Sequence, residues 1–305
     1  PKQKALNLGD TILFRYVIDT KNLGGNNNIY LNFNPNNAQP EQYLFNNFLY
    51  KSFYVVPDKY KPVMDVTFDG THILNSDIVS SKPHIMIRLK DDSKYLILDD
   101  TSLFKVQVRY PSRQLKTFNF NSDTLQFVPP VPDPGGSVAN NTAQIDFKPQ
   151  FLEDGDYELI VTGSDKSGNR SGTIEYKVQF RVINKSMISN LMNYPNPFTT
   201  STAFVFTLTG NEIPQNLRIQ VLTITGKIVK EIKLQELGSI HIGRNITEYK
   251  WDGTDQFGQQ LGNGIYLYRV ITSLNGKTME RLNSEGDELT DQYFKDGYGK
   301  MYLMR

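Results

Sequence analysis

Short runs in which apolar and polar residues alternate, separated by clusters of Gly, Asn, Asp and Pro, constrain this chain more than any other feature. Thr11-Ile12-Leu13-Phe14-Arg15-Tyr16-Val17-Ile18 is one such run. Residues 171–182 alternate over almost their whole length, and Ala203-Phe204-Val205-Phe206-Thr207-Leu208 and Leu217-Arg218-Ile219-Gln220-Val221-Leu222 are two more. A period of two, rich in β-branched and aromatic residues, places one face of an extended segment against a core and leaves the other in water. Turn-forming clusters at 22–28, 34–40, 129–136, 166–169 and 253–264 punctuate the runs. No segment repeats its apolar residues at helical spacing over three turns, and the nearest approach, 287–294, is short and uncapped. The pattern predicts an all-β chain of tandem Ig-like β-sandwich domains. Polar, proline-bearing segments suggest boundaries that divide it into 1–57, 58–183 and 184–305.

Charge and residue usage remove whole classes of function. The chain has 305 residues, with 33 Lys and Arg against 32 Asp and Glu for a net charge of +1. Phosphate-backbone binding needs a basic excess or a concentrated basic face, so nucleic acid is not an expected partner. No apolar run approaches the ~20 residues of a membrane-spanning helix. Cysteine is absent, which excludes disulfides, thiolate metal sites and a cysteine nucleophile within this chain. The three histidines, His72, His84 and His241, stand far apart in strand-like or turn contexts and are expected to be structural. The sequence opens at Pro1 with neither an initiator Met nor a signal peptide, and is read as part of something longer.

Several segments carry residue types that chemistry could use. Asp154-Gly155-Asp156-Tyr157 with Asp165-Lys166-Ser167-Gly168-Asn169 offers the hard oxygens calcium prefers, but without the EF-hand spacing. A strand from Tyr157 closed by turns accounts for the same residues. The acidic pairs Asp91-Asp92, Asp99-Asp100 and Glu153-Asp154 sit in turn-like contexts and are expected to be solvated. The sole Trp, Trp251, lies beside carboxylates and glycines and reads as a core anchor next to a tight hairpin. No Gly-x-Ser-x-Gly elbow and no phosphate-cradling glycine loop occurs. The expectation is therefore no catalytic residue, no cofactor and no metal ligand set.

The last 120 residues add a specific order of motifs. Asn193-Tyr194-Pro195-Asn196-Pro197-Phe198 precedes the first strand. A stretch from Trp251-Asp252-Gly253-Thr254-Asp255 through Gly258 to Gly264-Ile265-Tyr266 follows. Gly299-Lys300-Met301-Tyr302-Leu303-Met304-Arg305 closes the chain. This order resembles the C-terminal sorting domain of the type IX secretion system of Bacteroidetes and is similar to the FlgD-type immunoglobulin-like domain. The resemblance implies a sorting signal carried by Pro195, Asn196, Pro197, Trp251, Gly253, Asp255, Gly258, Gly264, Tyr266, Lys300, Met301, Tyr302, Leu303, Met304 and Arg305. It implies an outer-membrane shuttle and translocon as partners, a sortase that joins the cargo to surface lipopolysaccharide, and a cell-surface or extracellular location. A polar, acidic stretch at 280–298 departs from shorter family members. The closing strand is either the last strand of a sandwich or an accessible strand suited to pairing with a receptor.

Upstream, Asn34-Pro35 and Gln39-Pro40-Glu41-Gln42-Tyr43 with Asn46-Asn47 resemble the closing strands of a CARDB-type adhesion domain. Residues 62–182 look like a bacterial Ig-like module. The whole order resembles the tail of gingipain-like surface proteins, with any peptidase domain lying before Pro1. The expected function is thus a non-catalytic spacer or adhesion region with a sorting signal. An alternative has Tyr95, Tyr110, Phe118 and Phe120 forming an exposed platform for a polysaccharide or protein. Another makes the chain a subunit of a surface filament.

Overall fold

The structure is a computed structural model that describes residues 11–20, 22–38, 40–120, 122–172, 175–189, 191–281, 294–295 and 297–305. Among them there is no α-helix, and the only helical turns are 3-10 turns at Thr101–Leu103 and Leu234–Glu236. Residues 287–293 of the segment nearest to helical spacing and most of the acidic stretch at 280–298 lie outside the described residues.

The first ladder is a hairpin. Gly25–Asn32 pairs antiparallel with Phe48–Val55, in register from Gly25 opposite Val55 to Asn32 opposite Phe48. Four of its five aromatic side chains, Tyr30, Phe48, Tyr50 and Tyr54, are exposed, and Phe53 is half-buried. The alternating run at 11–18 is not a strand: residues 11–20 form no ladder, and Leu13, Tyr16 and Val17 are exposed. Alternation predicts a strand only where a neighbour takes up its backbone groups, and no described strand pairs with this one.

Two sheets follow and face one another. Val63–Phe68, Ile85–Asp91, Asn141–Phe147 and Leu125–Val128 form one, in that order. Asp77–Val79, Tyr176–Val182, Gly155–Gly163, Phe104–Arg109 and Leu115–Phe118 form the other. The strict alternation of Asn141–Phe147 and the near-strict alternation of Ile85–Asp91 bury every second side chain. Those residues meet the inward faces of Phe104–Arg109 and Gly155–Gly163 in one apolar cluster. Aromatic pairs such as Phe68 with Phe180, at 5.4 Å, and Phe118 with Phe147, at 4.7 Å, cross between the sheets. This is the sandwich expected from half-buried strands.

A second sandwich has its own apolar cluster, which shares no residue with the first. One sheet runs Met192–Tyr194, Thr202–Leu208, Met187–Ile188 and Glu280–Arg281, with Gly243–Trp251 also pairing with Thr202–Leu208. The other runs Ile228–Lys233, Asn216–Thr223, Gly264–Ser273, Tyr298–Leu303 and Phe294–Lys295. Phe204 meets Tyr268 at 5.7 Å across the gap. The chain is therefore all-β, with β-sandwiches in tandem.

Candidate functional site

The residues singled out in the last third gather around one strand. Tyr298–Leu303 pairs antiparallel with Gly264–Ser273, from Leu303 opposite Gly264 to Gly299 opposite Tyr268. Alternation along it sends Met301 and Leu303 inward, where they are 0% and 1% exposed. Lys300 points outward and Met304 and Arg305 are exposed, with Tyr302 between. Burying two such side chains contributes roughly 1.5–3 kcal/mol each.

The other edge of this strand is closed by the loop at 195–198. The Asn196 side chain donates Nδ2–H to the Lys300 carbonyl at 3.0 Å and accepts the Tyr302 amide on Oδ1 at 3.0 Å. It thus stands in for a neighbouring peptide group. Phe198 continues the pairing: its amide donates to the Tyr302 carbonyl at 3.0 Å, and its carbonyl accepts the Met304 amide at 2.9 Å. Cis peptide bonds precede Pro195 and Pro197. Buried Asn193 and Thr202 brace the loop, each donating to the Pro195 carbonyl. Of the two readings of the closing strand, the one with an open pairing edge is corrected. Its outward backbone groups at 302 and 304 and its carbonyl at 300 already have partners.

Trp251 is fully buried and meets Phe198 and Tyr266, both at 5.6 Å between ring centres. Its indole donates to the Thr254 carbonyl at 2.8 Å. Asp255 accepts the amides of Phe257 and Gln259, and the turn it opens closes through the Gly258 amide. Gly264 begins the strand that pairs with the closing one, and the Tyr266 hydroxyl donates to the Gly262 carbonyl at 2.8 Å. Gly253 has φ +76, and a Cβ there would stand 2.9 Å from Leu303 Cδ2. Arg305 donates to the Asp252 carbonyl and is held by Asn263, whose Oδ1 accepts the Arg305 amide at 2.9 Å. The Asp252 carboxyl titrates below its ordinary value, chiefly because the Thr254 hydroxyl donates to it. Every singled-out residue is thus in the closing strand, in a segment touching it, or in the turn beside Trp251.

Other expectations meet a different outcome. The proposed aromatic platform does not form: Tyr110, Phe118 and Phe120 pack against the first sandwich's core, and only Tyr95 stands exposed. Asp154 caps the amide of Asn184 and Asp156 pairs with Arg181, so the two do not join Asp165 in one loop. His72 and His84 pair with Asp65 and Asp146, at 2.7 and 2.8 Å.

One cluster was not visible in the sequence. Asp58, Asp91 and Asp165 each bring a carboxylate oxygen within 4.8 Å of the other two. Asp91 is not solvated as its turn-like context suggested; it is 4% exposed, and Asp165 is 1% exposed. Asn141, directly opposite Asp91 in the ladder, organises this end of the sandwich. It donates to the Ser93 and Leu96 carbonyls and accepts the Leu98 amide. Burial, and then the charges of Asp58 and Asp165, push the Asp91 carboxyl up to about 6.

No protein-family model and no curated protein sequence matches the chain. Among solved structures it is similar to dimeric latent PorU from Porphyromonas gingivalis, at 18% identity and TM-score 0.31, over 84% of this chain and 22% of that one. It is also similar to the C-terminal domain of the antigen I/II-family protein AspA of Streptococcus pyogenes, at 9% identity and TM-score 0.26, over 81% and 100%. The fibronectin(III)-like modules of CbhA from Clostridium thermocellum match at 13% identity and TM-score 0.22, over 72% and 98%. The chain spans about a fifth of the length of the PorU chain. The β-sandwich assignment rests on the ladders and cores described above, not on these likenesses. No described helix is long and apolar enough to cross a membrane.

Proposed function

We propose that this chain is the non-catalytic C-terminal region of a large protein exported to a bacterial surface. Its sandwiches serve as spacer or adhesion modules. The unit built from residues 184–305 is the address read by the type IX shuttle and translocon, with a sortase acting on it after passage. The observation that supports this reading is the convergence of most of the motif set on the Tyr298–Leu303 strand and its Asn196 clasp, with the remainder in the turn beside Trp251. The buried members of the set, Trp251, Tyr266, Met301 and Leu303, hold the unit together, and the exposed ones, Lys300, Met304 and Arg305, stand on or next to the strand that they support. Because the strand's edge is already paired, recognition of the folded unit would use side chains. Lys300, Met304 and Arg305 are exposed there, beside Tyr302.

The test is export of a passive fluorescent reporter fused to residues 184–305 in a Bacteroidetes host, with and without a working translocon. The reporter is expected on the surface only when the translocon works. Lys300→Glu with Met304→Glu, both at exposed side chains, should lower surface delivery at least tenfold while leaving the thermal midpoint of the purified fusion within about 2 °C. Periplasmic retention of the unaltered fusion in a secretion-competent host would sink the proposal.

A further inference from the structure

The three aspartates meet at one end of the first sandwich. Asp91 ends the Ile85–Asp91 strand of one sheet, and Asp165 begins the turn after Gly155–Gly163 in the other. Asp58 arrives from outside both sheets, on the segment between the hairpin and Val63–Phe68. Like charges do not gather in a buried place without compensation. No described Lys, Arg or His makes an ion pair with any of the three; Lys166, beside Asp165 in sequence, is paired with Asp99 at 2.5 Å.

The hydrogen bonds leave oxygens over. Asp165 receives the Asn169 amide and side chain, both at 2.8 Å. Asp58 Oδ1 receives the Tyr60 amide at 3.1 Å. Asp58 Oδ2 and Asp91 Oδ1 are buried and accept no hydrogen bond from any described residue. Such orphaned, buried anionic oxygens are rare in folded proteins and call for a partner. Asn169 ties the arriving segment down, donating to the Asp58 carbonyl at 3.2 Å.

We propose that Asp58, Asp91 and Asp165 form a calcium site that fastens the segment after the hairpin to the end of the first sandwich. Oxygens sharing one Ca²⁺ at about 2.4 Å can lie at most about 4.8 Å apart, and the three here satisfy that limit. The donors are all hard oxygens with no imidazole or thiolate among them, which selects against zinc and copper. Their irregular disposition, across three chain segments, suits calcium's variable coordination better than magnesium's strict octahedron. A cleft of about 410 Å³ lined by Pro57, Asp58, Ser93, Leu96 and Ser167 opens beside the cluster. It gives the ion a way in and room for water ligands. This inference does not depend on the sorting role of the second sandwich.

The test uses the 305-residue chain, stripped with a chelator and dialysed at pH 7.5. Calcium titration by calorimetry should show one ion per chain, with magnesium at least tenfold weaker. At about a hundred times its dissociation constant, calcium should raise the thermal midpoint by roughly 5–10 °C over the chelated protein. Asp91→Asn and Asp58→Asn should each weaken calcium at least tenfold; the second changes only the arriving segment and guards against misfolding of the first. Absence of calcium uptake by the unaltered chain at 5 mM overturns the site, as does unchanged uptake by Asp58→Asn. A midpoint that rises on acidification yet ignores calcium would assign the cluster a shared proton instead.

Discussion

Asn196 shows how much one side chain can do at the edge of a sheet. A carboxamide carries the same donor and acceptor as a peptide group, so it can extend a ladder without a strand. Its two bonds, to the Lys300 carbonyl and the Tyr302 amide, close groups that would otherwise face open solvent or a foreign strand. Asn196→Ala should cost about 1–2 kcal/mol in urea-induced unfolding, the scale of two partly exposed hydrogen bonds. Asn196→Asp should cost at least as much, since it keeps the acceptor but turns an oxygen toward the Lys300 carbonyl. Unchanged unfolding in both variants would mean the clasp contributes nothing. The sequence displays Asn196 between two prolines, but nothing in that spacing says it reaches a strand about a hundred positions away.

At the scale of elements, the closing strand divides its residues sharply by alternation. Leu303 is 1% exposed and Met304 57%. Leu303→Ala should therefore destabilise by about 2–5 kcal/mol, through lost burial and the cavity left in the second apolar cluster beside the Gly253 turn. Met304→Ala should stay within about 0.5 kcal/mol. Guanidinium melts of the two variants check this, and equal losses would contradict the inward and outward assignment. A strand such as Tyr176–Val182 was legible beforehand within the alternating run at 171–182, because a two-residue period records which face is buried. The run at 11–18 carries the same signal and forms no ladder, since the period says nothing about the neighbour a strand requires. Pairing between distant segments, such as Glu280–Arg281 running parallel to Met187–Ile188, left no local trace at all.

For the whole molecule, stability should be uneven. The sandwiches have separate apolar clusters, while the Gly25–Asn32 and Phe48–Val55 hairpin leaves most of its aromatics in water, belongs to neither cluster and is held by its ladder. Backbone hydrogen bonds with so little apolar cover open at low free-energy cost. Hydrogen exchange should show the hairpin amides exchanging at least a hundredfold faster than those of Ile85–Asp91. Comparable protection would require cover that the described residues do not provide. The three aspartates belong to this scale too. Each reads locally as an ordinary turn residue, and only the folded topology brings them together, so no spacing could have revealed them.

The closed edge of the last strand also has a kinetic meaning. A receptor that reads side chains can engage the folded unit directly, and its capture rate should rise in proportion to its concentration. One that must take the segment as an added strand has to wait until Asn196 and Phe198 let go. Its capture rate would level off at the frequency of that release, and loosening the clasp would speed recognition instead of impairing it.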